Sequence, residues 1–542
     1  MNKLPQGIQE NLQFLCVEID SQLINMQLYF EQMAPNDANQ VLERVGYADN
    51  LKARIHSGVV NQIATNNLES RAIFSLRSVE FIANDLTTIA EICRNCISQT
   101  QALGSFEGLM PKIYISIFKQ VQKAVKLIVP AIGHADSKLA IEIGQIDIDL
   151  AQAHEKLRQK NIGSLKRLKS SEQITAVVSL VYECGHLRAT LVHICESIIS
   201  ANLGQPVSFD HYAAMQSMVG ELDANNDNVQ METIAETRSG ALISGISSAE
   251  NGSIGIYKGG QKQKLKQEKE GVKSWHEIYP GLAPKILSYK KKGESAALLI
   301  EHLSGYTFEK IVLSQSDMLL AETEKMLHKT LSSIWSETKI EKSVDARFMQ
   351  QLQKRLPEVY QIHPAFFKKQ VNLCGQALLS FDVLVEQAAV LEKQWPSAFS
   401  VYIHGDFNVD NIIYDPAAKR INFIDLHRSC YMDYVQDISV FMVSNYRLQA
   451  IDKPSRQRLM HAATNMYAMA RRYAIKHNDK TFEMRLALGL ARSFATSTRF
   501  ILDQSLAQNM FLRARYLIEL ALAVKSANVA KFRLPLKEIF VD

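Results

Sequence analysis

The stretch YIHGDFNVDNIIYDPAAKRINFIDLHRSCYMDYVQDI, running from Tyr402 to Ile438, decides how the rest of this chain is read. Two short apolar runs, Ile412–Tyr414 and Ile421–Ile424, flank the turn signal Asp415-Pro416, a pattern that predicts a hairpin of buried strands. Polar residues mark its edges. Asp406 falls in the loop before the first strand, Asn411 at that strand's start, and Asp425 at the end of the second. Each Asp alone reads as an N-cap or turn residue. Together the three gather two carboxylates and one amide oxygen around a single point. Such a point suits phosphoryl transfer, where the protein supplies an orienting base for a hydroxyl and hard oxygen ligands for magnesium on nucleotide phosphates.

The series His404-Gly405-Asp406, then Asn411, then Ile424-Asp425 resembles the catalytic loop of the aminoglycoside phosphotransferase and choline kinase group, relatives of protein kinases. The resemblance implies a bilobal α+β fold with ATP and Mg2+ as cofactors, Asp406 as catalytic base, and Asn411 and Asp425 as metal ligands. Asp433 and Asp437 match the family's later acidic pair, which braces the loop or caps the next helix. The segment between Asp425 and Asp433 is short, and no Ala-Pro-Glu signal follows it. A peptide-phosphorylating kinase needs a longer activation segment there, so a small hydroxyl acceptor is favoured.

Composition bounds the remainder. At 542 residues the chain predicts two or three domains, and 47% hydrophobic with 22% charged residues describes a soluble globular protein. A net charge of +5 without long basic runs argues against a nucleic-acid partner. No apolar run is long enough for a membrane span, and the N-terminus lacks a basic-then-apolar leader pattern. Seven scattered cysteines, with Cys93 and Cys96 one helical turn apart and no second pair nearby, read as buried free thiols of a cytoplasmic protein.

Residues 1–204 read as helix throughout, with apolar residues at three- and four-residue steps. An internal repeat is visible: Pro35–Val41 leading to Asp49-Asn50-Leu51 is echoed by His134–Ala140 leading to Asp147–Leu150. A later helix, Ser78–Glu91, is echoed by Tyr182–Glu196. Two copies of a three-helix unit are expected, packed through apolar stripes. This doubled pattern resembles PhoU, the phosphate-regulatory bundle, whose metal clusters need an acidic residue followed by Asp one turn on. The chain departs from that motif. Glu80 is followed by Asn84 and Asp85, and Glu183 by Leu187.

Gln205-Pro206 breaks the last bundle helix, a short helical stretch follows, and the polar run Asp223–Asn228 reads as a linker. Beyond it Val229–Glu236, Ala241–Ser247 and Ile254–Lys258 read as consecutive antiparallel strands. The resemblance to a kinase small lobe implies that the first turn, with Ser239 and Gly240, lies over the nucleotide phosphates, although it holds a single glycine. Lys258 ends the third strand, from which an ammonium reaches phosphates and pairs with a carboxylate on the next helix. On that helix, which starts near Gln263, Glu268 shares a face with Val272 and Trp275 while Glu270 points elsewhere, so Glu268 is the expected partner. Strands over Ala283–Tyr289 and Ala296–Leu303 follow. The resemblance makes Glu301 to Leu303 a hinge whose main-chain groups hold adenine. Residues 307–396 read as helical, broken near Pro357 and Pro364. Helices return over 435–531, with amphipathic spacing at Phe494, Phe500, Ile501 and Leu502.

The expected architecture is therefore multidomain: an all-α PhoU-like bundle over 1–204, a linker over 205–228, a nucleotide-binding small lobe over 229–305, and a helical catalytic lobe over 306–542. The expected function is ATP- and Mg2+-dependent transfer of the γ-phosphoryl group to a hydroxyl of a small molecule, with the bundle as a regulatory module or a dock for a protein partner. The alternative is a nucleotide-binding scaffold that acts through protein partners.

Overall fold

A computed structural model describes residues 4–44, 46–103, 109–165, 170–204, 206–222, 229–236, 242–248, 252–292, 295–368, 371–373, 376–450 and 452–541. The chain divides into two compact units, Met1–Gly252 and Ser253–Asp542. No helix among the described residues is long and apolar enough to cross a membrane.

The first unit is helical: α1 (Gln6–Gln32), α2 (Pro35–Leu42), α3 (Tyr47–Thr65), α4 (Ser70–Leu103), α5 (Pro111–Gly133), α6 (Ser137–Leu165), α7 (Ser171–Leu203) and α8 (Phe209–Leu222). Apart from the short α2, the first six long helices form the two three-helix copies expected from the repeat. Like packs with like: α1 lies along α5, and α4 along α7. The stripes that meet are apolar. On α1 Leu12, Leu15, Ile19, Leu23 and Met26 are buried, and on α5 Tyr114, Phe118, Val121, Val125 and Ile128. Helix α7 ends at Gly204, whose left-handed φ of 73° accommodates the C-cap before Pro206. The strands β1 (Val229–Glu236) and β2 (Leu242–Ser248) then pair antiparallel. The linker residues 223–228 and the turn bearing Ser239 and Gly240 lie outside the described residues.

In the second unit, β3 (Gly252–Gln261) runs into α9 (Lys262–Ile278), followed by β4 (Ile286–Lys292) and β5 (Ser295–Ile300). Strand β5 lies between β3 and β4, antiparallel to both. Beyond the short β6 (Tyr306–Thr307) come α10 (Phe308–Ser314), α11 (Asp317–Glu337), α12 (Phe348–Ile362), β7 (Val371–Leu373), β8 (Gln376–Leu378) and α13 (Phe381–Glu392). Strand β9 (Val401–Ile403) leads to the expected hairpin, β10 (Ile412–Asp415) and β11 (Arg420–Phe423), which pair antiparallel with Ile412 opposite Phe423. After β12 (Cys430–Met432), the helices α14 (Val435–Tyr446), α15 (Lys453–Lys476), α16 (Phe482–Ser497), α17 (Gln504–Ala523) and α18 (Leu536–Ile539) enclose the hairpin in one continuous apolar core.

Three expectations for this unit need correction. Helix α12 runs through Pro357 instead of breaking there. The proline costs ~3 kcal/mol in a helix interior, but Phe348, Met349, Leu352, Leu356 and Val359 are buried on both sides of it and hold the helix together. Within the region read as helical, Val371 and Leu373 alternate with Asn372 at period two, and β7 pairs with β8 as a two-stranded ribbon. Finally, the helical spacing through Phe494 stops at Ser497. A 3₁₀ turn over Thr498–Phe500 redirects the chain, burying Ile501 but leaving Phe500 and Leu502 exposed.

Candidate active site

The loop after β9 is fixed from below by a buried carboxylate. Asp437, in the first turn of α14, accepts the His404 amide at 2.8 Å and the Gly405 amide at 2.9 Å. Burial pushes its pKa up to about 7, and the two amides oppose that rise. Gly405 is required here. Its φ is +83°, and a Cβ would lie 2.3 Å from the Arg428 carbonyl. His404, buried and with its pKa lowered mainly by that burial, is a neutral imidazole. It accepts the Asp406 amide on Nδ1 at 3.2 Å and donates from Nε2 to the Ile424 carbonyl at 2.9 Å. This one ring ties the loop before the hairpin to the end of its second strand.

Asp406 follows, its side chain largely covered. Oδ1 accepts Asn408 Nδ2 at 3.0 Å, and Oδ2 lies 3.3 Å from Arg428 Nη1. Asn411 donates Nδ2 to the Asp406 carbonyl at 2.9 Å, and its own carbonyl accepts the Ile424 amide at 3.0 Å. With Nδ2 so engaged, Oδ1 is the Asn411 atom available to a cation. Asp425 comes next, in a left-handed conformation with φ of 62°. A non-glycine residue is strained there and stays only because its surroundings fix it.

Those surroundings come from β3 and α9. Lys258 Nζ lies 2.6 Å from Glu268 Oε1 and 3.6 Å from Asp425 Oδ1. Glu270 is exposed and pairs with Lys266 instead. Burial works against the Lys258 ammonium, but Glu268 and Asp425 outweigh it and hold its pKa above the ordinary lysine value. For Asp425, burial is likewise the largest influence, and His427 and Lys258 overcome it, so the carboxylate stays ionised far below the usual range. Glu268 is shifted upward by burial, Lys258 opposing and the Asp425 charge adding to the rise. Gly271 lets the helix come this close: a Cβ there would sit 2.1 Å from the Leu426 carbonyl. Glu268, Asp425 and His427 have the spacing of metal ligands, but the Lys258 ammonium already lies among them.

Glu301 and Leu303, expected from the resemblance to form the hinge, follow the adjacent strand. Ile300, the end of β5, pairs with Ile256, two residues before Lys258. The Glu301 amide donates to the Lys285 carbonyl and its side chain accepts the Lys285 amide, which fixes the strand exit. Among the described residues no main-chain group engages the Glu301 carbonyl or the Leu303 amide. Lys258, Glu268 and Asp425 thus converge, while Asp406 and Asn411 join them through Ile424. Ser239 and Gly240 lie outside the described residues.

Residues 280–474 match the family model described as the phosphotransferase enzyme family. The chain carries a phosphotransferase-family domain. No curated protein matches the sequence. Among solved structures, the phosphotransferase-bearing chain is similar to the aminoglycoside phosphotransferase APH(3'')-Id from Streptomyces rimosus, at 18% identity over 57% of this chain and 98% of that one, with a TM-score of 0.34. It is also similar to choline kinase from Cryptosporidium parvum, at 12% identity over 61% and 98%, with a TM-score of 0.36. PhoU from Pseudomonas aeruginosa matches at 16% identity over 36% of this chain and 94% of its own, with a TM-score of 0.34.

Three residues of this candidate site belong to no motif in the sequence. His427 Nδ1 stands 3.4 Å from Asp425 Oδ1, and Arg428 donates Nε to His427 Nε2 at 3.1 Å while facing Asp406. Their adjacency to Asp425 was a usable signal. Arg492 is within charge range of Asp406 but comes from α16, and nothing local in the sequence marks it.

Proposed function

We propose that the chain is an ATP- and Mg2+-dependent small-molecule kinase that transfers the γ-phosphoryl group to a hydroxyl. The observation that carries this reading is the continuity of the site: the Lys258–Glu268 pair reaches Asp425, and Asp425 is tied through Ile424 and Asn411 to Asp406. In this reading Lys258 orients the nucleotide phosphates as a point charge, with Glu268 holding the ammonium in place. The Glu301 carbonyl and the Leu303 amide accept and donate to adenine. Asp406 orients the acceptor hydroxyl and takes its proton as the new P–O bond forms.

The donor set fits magnesium, since Asp425 is held ionised and Asn411 presents a hard amide oxygen. When bound there, the ion neutralises charge on the nucleotide phosphates. Residues 229–305 serve the nucleotide and residues 306–542 the acceptor, while the bundle over 1–204 acts as a regulatory or docking module. The deciding experiment is a phosphorylation screen of a metabolite pool with purified protein and labelled ATP. A labelled product that disappears with Asp406→Asn is the expected result. Nucleotide binding without transfer to any pool component would overturn the reading in favour of a scaffold.

A further inference from the structure

Two guanidinium groups serve the loop of Asp406, Arg428 directly and Arg492 through Ser439, two residues after the Asp437 that anchors the loop, and among the described residues neither has a carboxylate of its own. A third arginine of the same unit shows what saturation looks like. Arg485 makes hydrogen bonds to both oxygens of Asp433 and both of Asp479, and also to Thr481. Arg492 has far less. Its Nη2 reaches Ser439 Oγ at 3.4 Å, its guanidinium lies 5.5 Å from the centre of the Phe348 ring, and its Nε is buried with no partner among the described residues. A buried donor left unmatched is costly, and a charged one more so. The neighbouring carboxylates are already used. Asp437 accepts two loop amides, Glu392 accepts the Phe348 and Met349 amides, and Asp433 belongs to Arg485. Burial lowers the Arg492 pKa to about 10, with Asp406 opposing, so the group remains cationic at neutral pH.

Arg428 supplies the second charge, half exposed and braced by His427 at 3.1 Å, with Nη1 3.3 Å from Asp406 Oδ2. Asp406 thus meets one guanidinium directly and feels the charge of a second, and each of the two can serve a further anion. A positively charged acceptor brought to Asp406 would meet both guanidinium groups, whereas a carboxylate or phosphate would complete their donor sets.

Resting on the kinase reading above, we propose that the acceptor is an anionic hydroxyl compound whose carboxylate or phosphate is held by Arg428 and Arg492 while Asp406 orients its hydroxyl. In the transfer, the acceptor oxygen forms a bond to the γ-phosphorus as the bond to the β-phosphate oxygen breaks. The hydroxyl proton passes to Asp406, and ADP leaves with the electron pair.

The test uses the full chain with ADP and Mg2+ and four probes that each carry a primary hydroxyl. Glycerol 3-phosphate and glycerate are the anions, glycerol is neutral, and choline is cationic. Binding is followed by calorimetry, and transfer from ATP separately by phosphorus NMR. At least one anion should bind in preference to glycerol and choline. Arg428→Gln and Arg492→Lys should each weaken it by roughly 10- to 150-fold, the range for hydrogen bonds to charged groups. The exposed Arg428 guards against a folding defect in the Arg492 variant. Preference between the two anions separates phosphate from carboxylate recognition. If choline is the better ligand, or if neither anion shows arginine-dependent binding, the anionic assignment falls whatever the turnover. If an anion binds through the arginines but no transfer to any hydroxyl occurs, the anion site stands and the kinase reading falls.

Discussion

The two units of this chain hold their acidic groups in contrasting ways. In the bundle, carboxylates make small separate contacts: Glu80 faces His56 at 2.8 Å, Glu183 accepts Asn95 at 2.9 Å, Asp147 pairs with Arg188 at 2.9 Å, and the buried Glu18 meets Gln22 and Arg44. In the second unit they are interlocked across distant segments, as in Tyr434–Asp479–Arg485–Asp433 and Lys258–Glu268–Asp425. The lesson concerns what each region is organised to keep in place. Apolar stripes hold the bundle, and its polar pairs are accessory. The second unit fixes charges at defined points, which is what positioning chemistry requires.

Substitutions test that contrast, beginning where the effect is greatest. Asp406→Asn should lower kcat by roughly 10²- to 10⁴-fold, the contribution of a positioned base, and leave the KM for ATP nearly unchanged. Steady-state kinetics with an identified acceptor checks it, and an equal loss of ATP affinity would contradict the role. Arg485→Met should destabilise the second unit by ~3–5 kcal/mol, because Asp433 and Asp479 would remain buried without their cation. All three tryptophans (Trp275, Trp335 and Trp395) belong to that unit, so urea unfolding followed by tryptophan fluorescence reads it selectively. A shift below ~1 kcal/mol would show the network to be no more than the surface pairs of the bundle.

A pH series sharpens the comparison further. Asp437 and Glu392 are raised to about 7, burial being the main cause in each. Between the ordinary carboxylate range near 4 and pH 7, the folded chain therefore retains protons that the unfolded chain has released. Their contribution to stability is greatest at the acidic end of that window and declines as pH rises through it. Asp425 and Asp479 are lowered, so their contribution is present at neutral pH and is lost only as pH falls below the ordinary carboxylate range. The lowered histidines His328, His404 and His477 act in the opposite direction, so the carboxylate is isolated by comparing Glu392→Gln with the parent chain. Between pH 5 and pH 7.5 the tryptophan-detected midpoint of the parent should decline relative to that of the variant, and an identical pH dependence of the two would refute the assignment. At the small end, Glu183→Gln in the bundle should cost less than ~1 kcal/mol by helical circular dichroism. A larger loss would mean the bundle too depends on its polar pairs.

Much of this arrangement was legible in the sequence because its parts are close together. Asp406, Asn411 and Asp425 share one loop and hairpin, which two short apolar runs around Asp415-Pro416 announce. Lys258 and Glu268 are one strand end and one helical turn apart, so face geometry alone selected Glu268 over Glu270. The repeated helical segments likewise announced the two three-helix copies. What stayed hidden depends on tertiary neighbours. Arg492 and Arg485 look like ordinary surface arginines until α16 is packed against α12 and α14. Pro357 reads as a helix breaker until the buried residues around it are seen to outweigh its cost. Phe500 and Leu502 fit a helical stripe, but the 3₁₀ turn takes them off it.

The like-with-like pairing of the bundle helices has a consequence for how the chain is made. Helices α1 and α4 turn one face toward α5 and α7, which are synthesised later. Translation at ~5–20 residues per second separates the two halves by roughly 5–20 s. For that interval the first half stands outside the ribosome with two apolar seams open and its own near-copy still to come. On a polysome, the nearest matching seam then belongs to a neighbouring nascent chain, so exchange of halves between chains competes with closure within one.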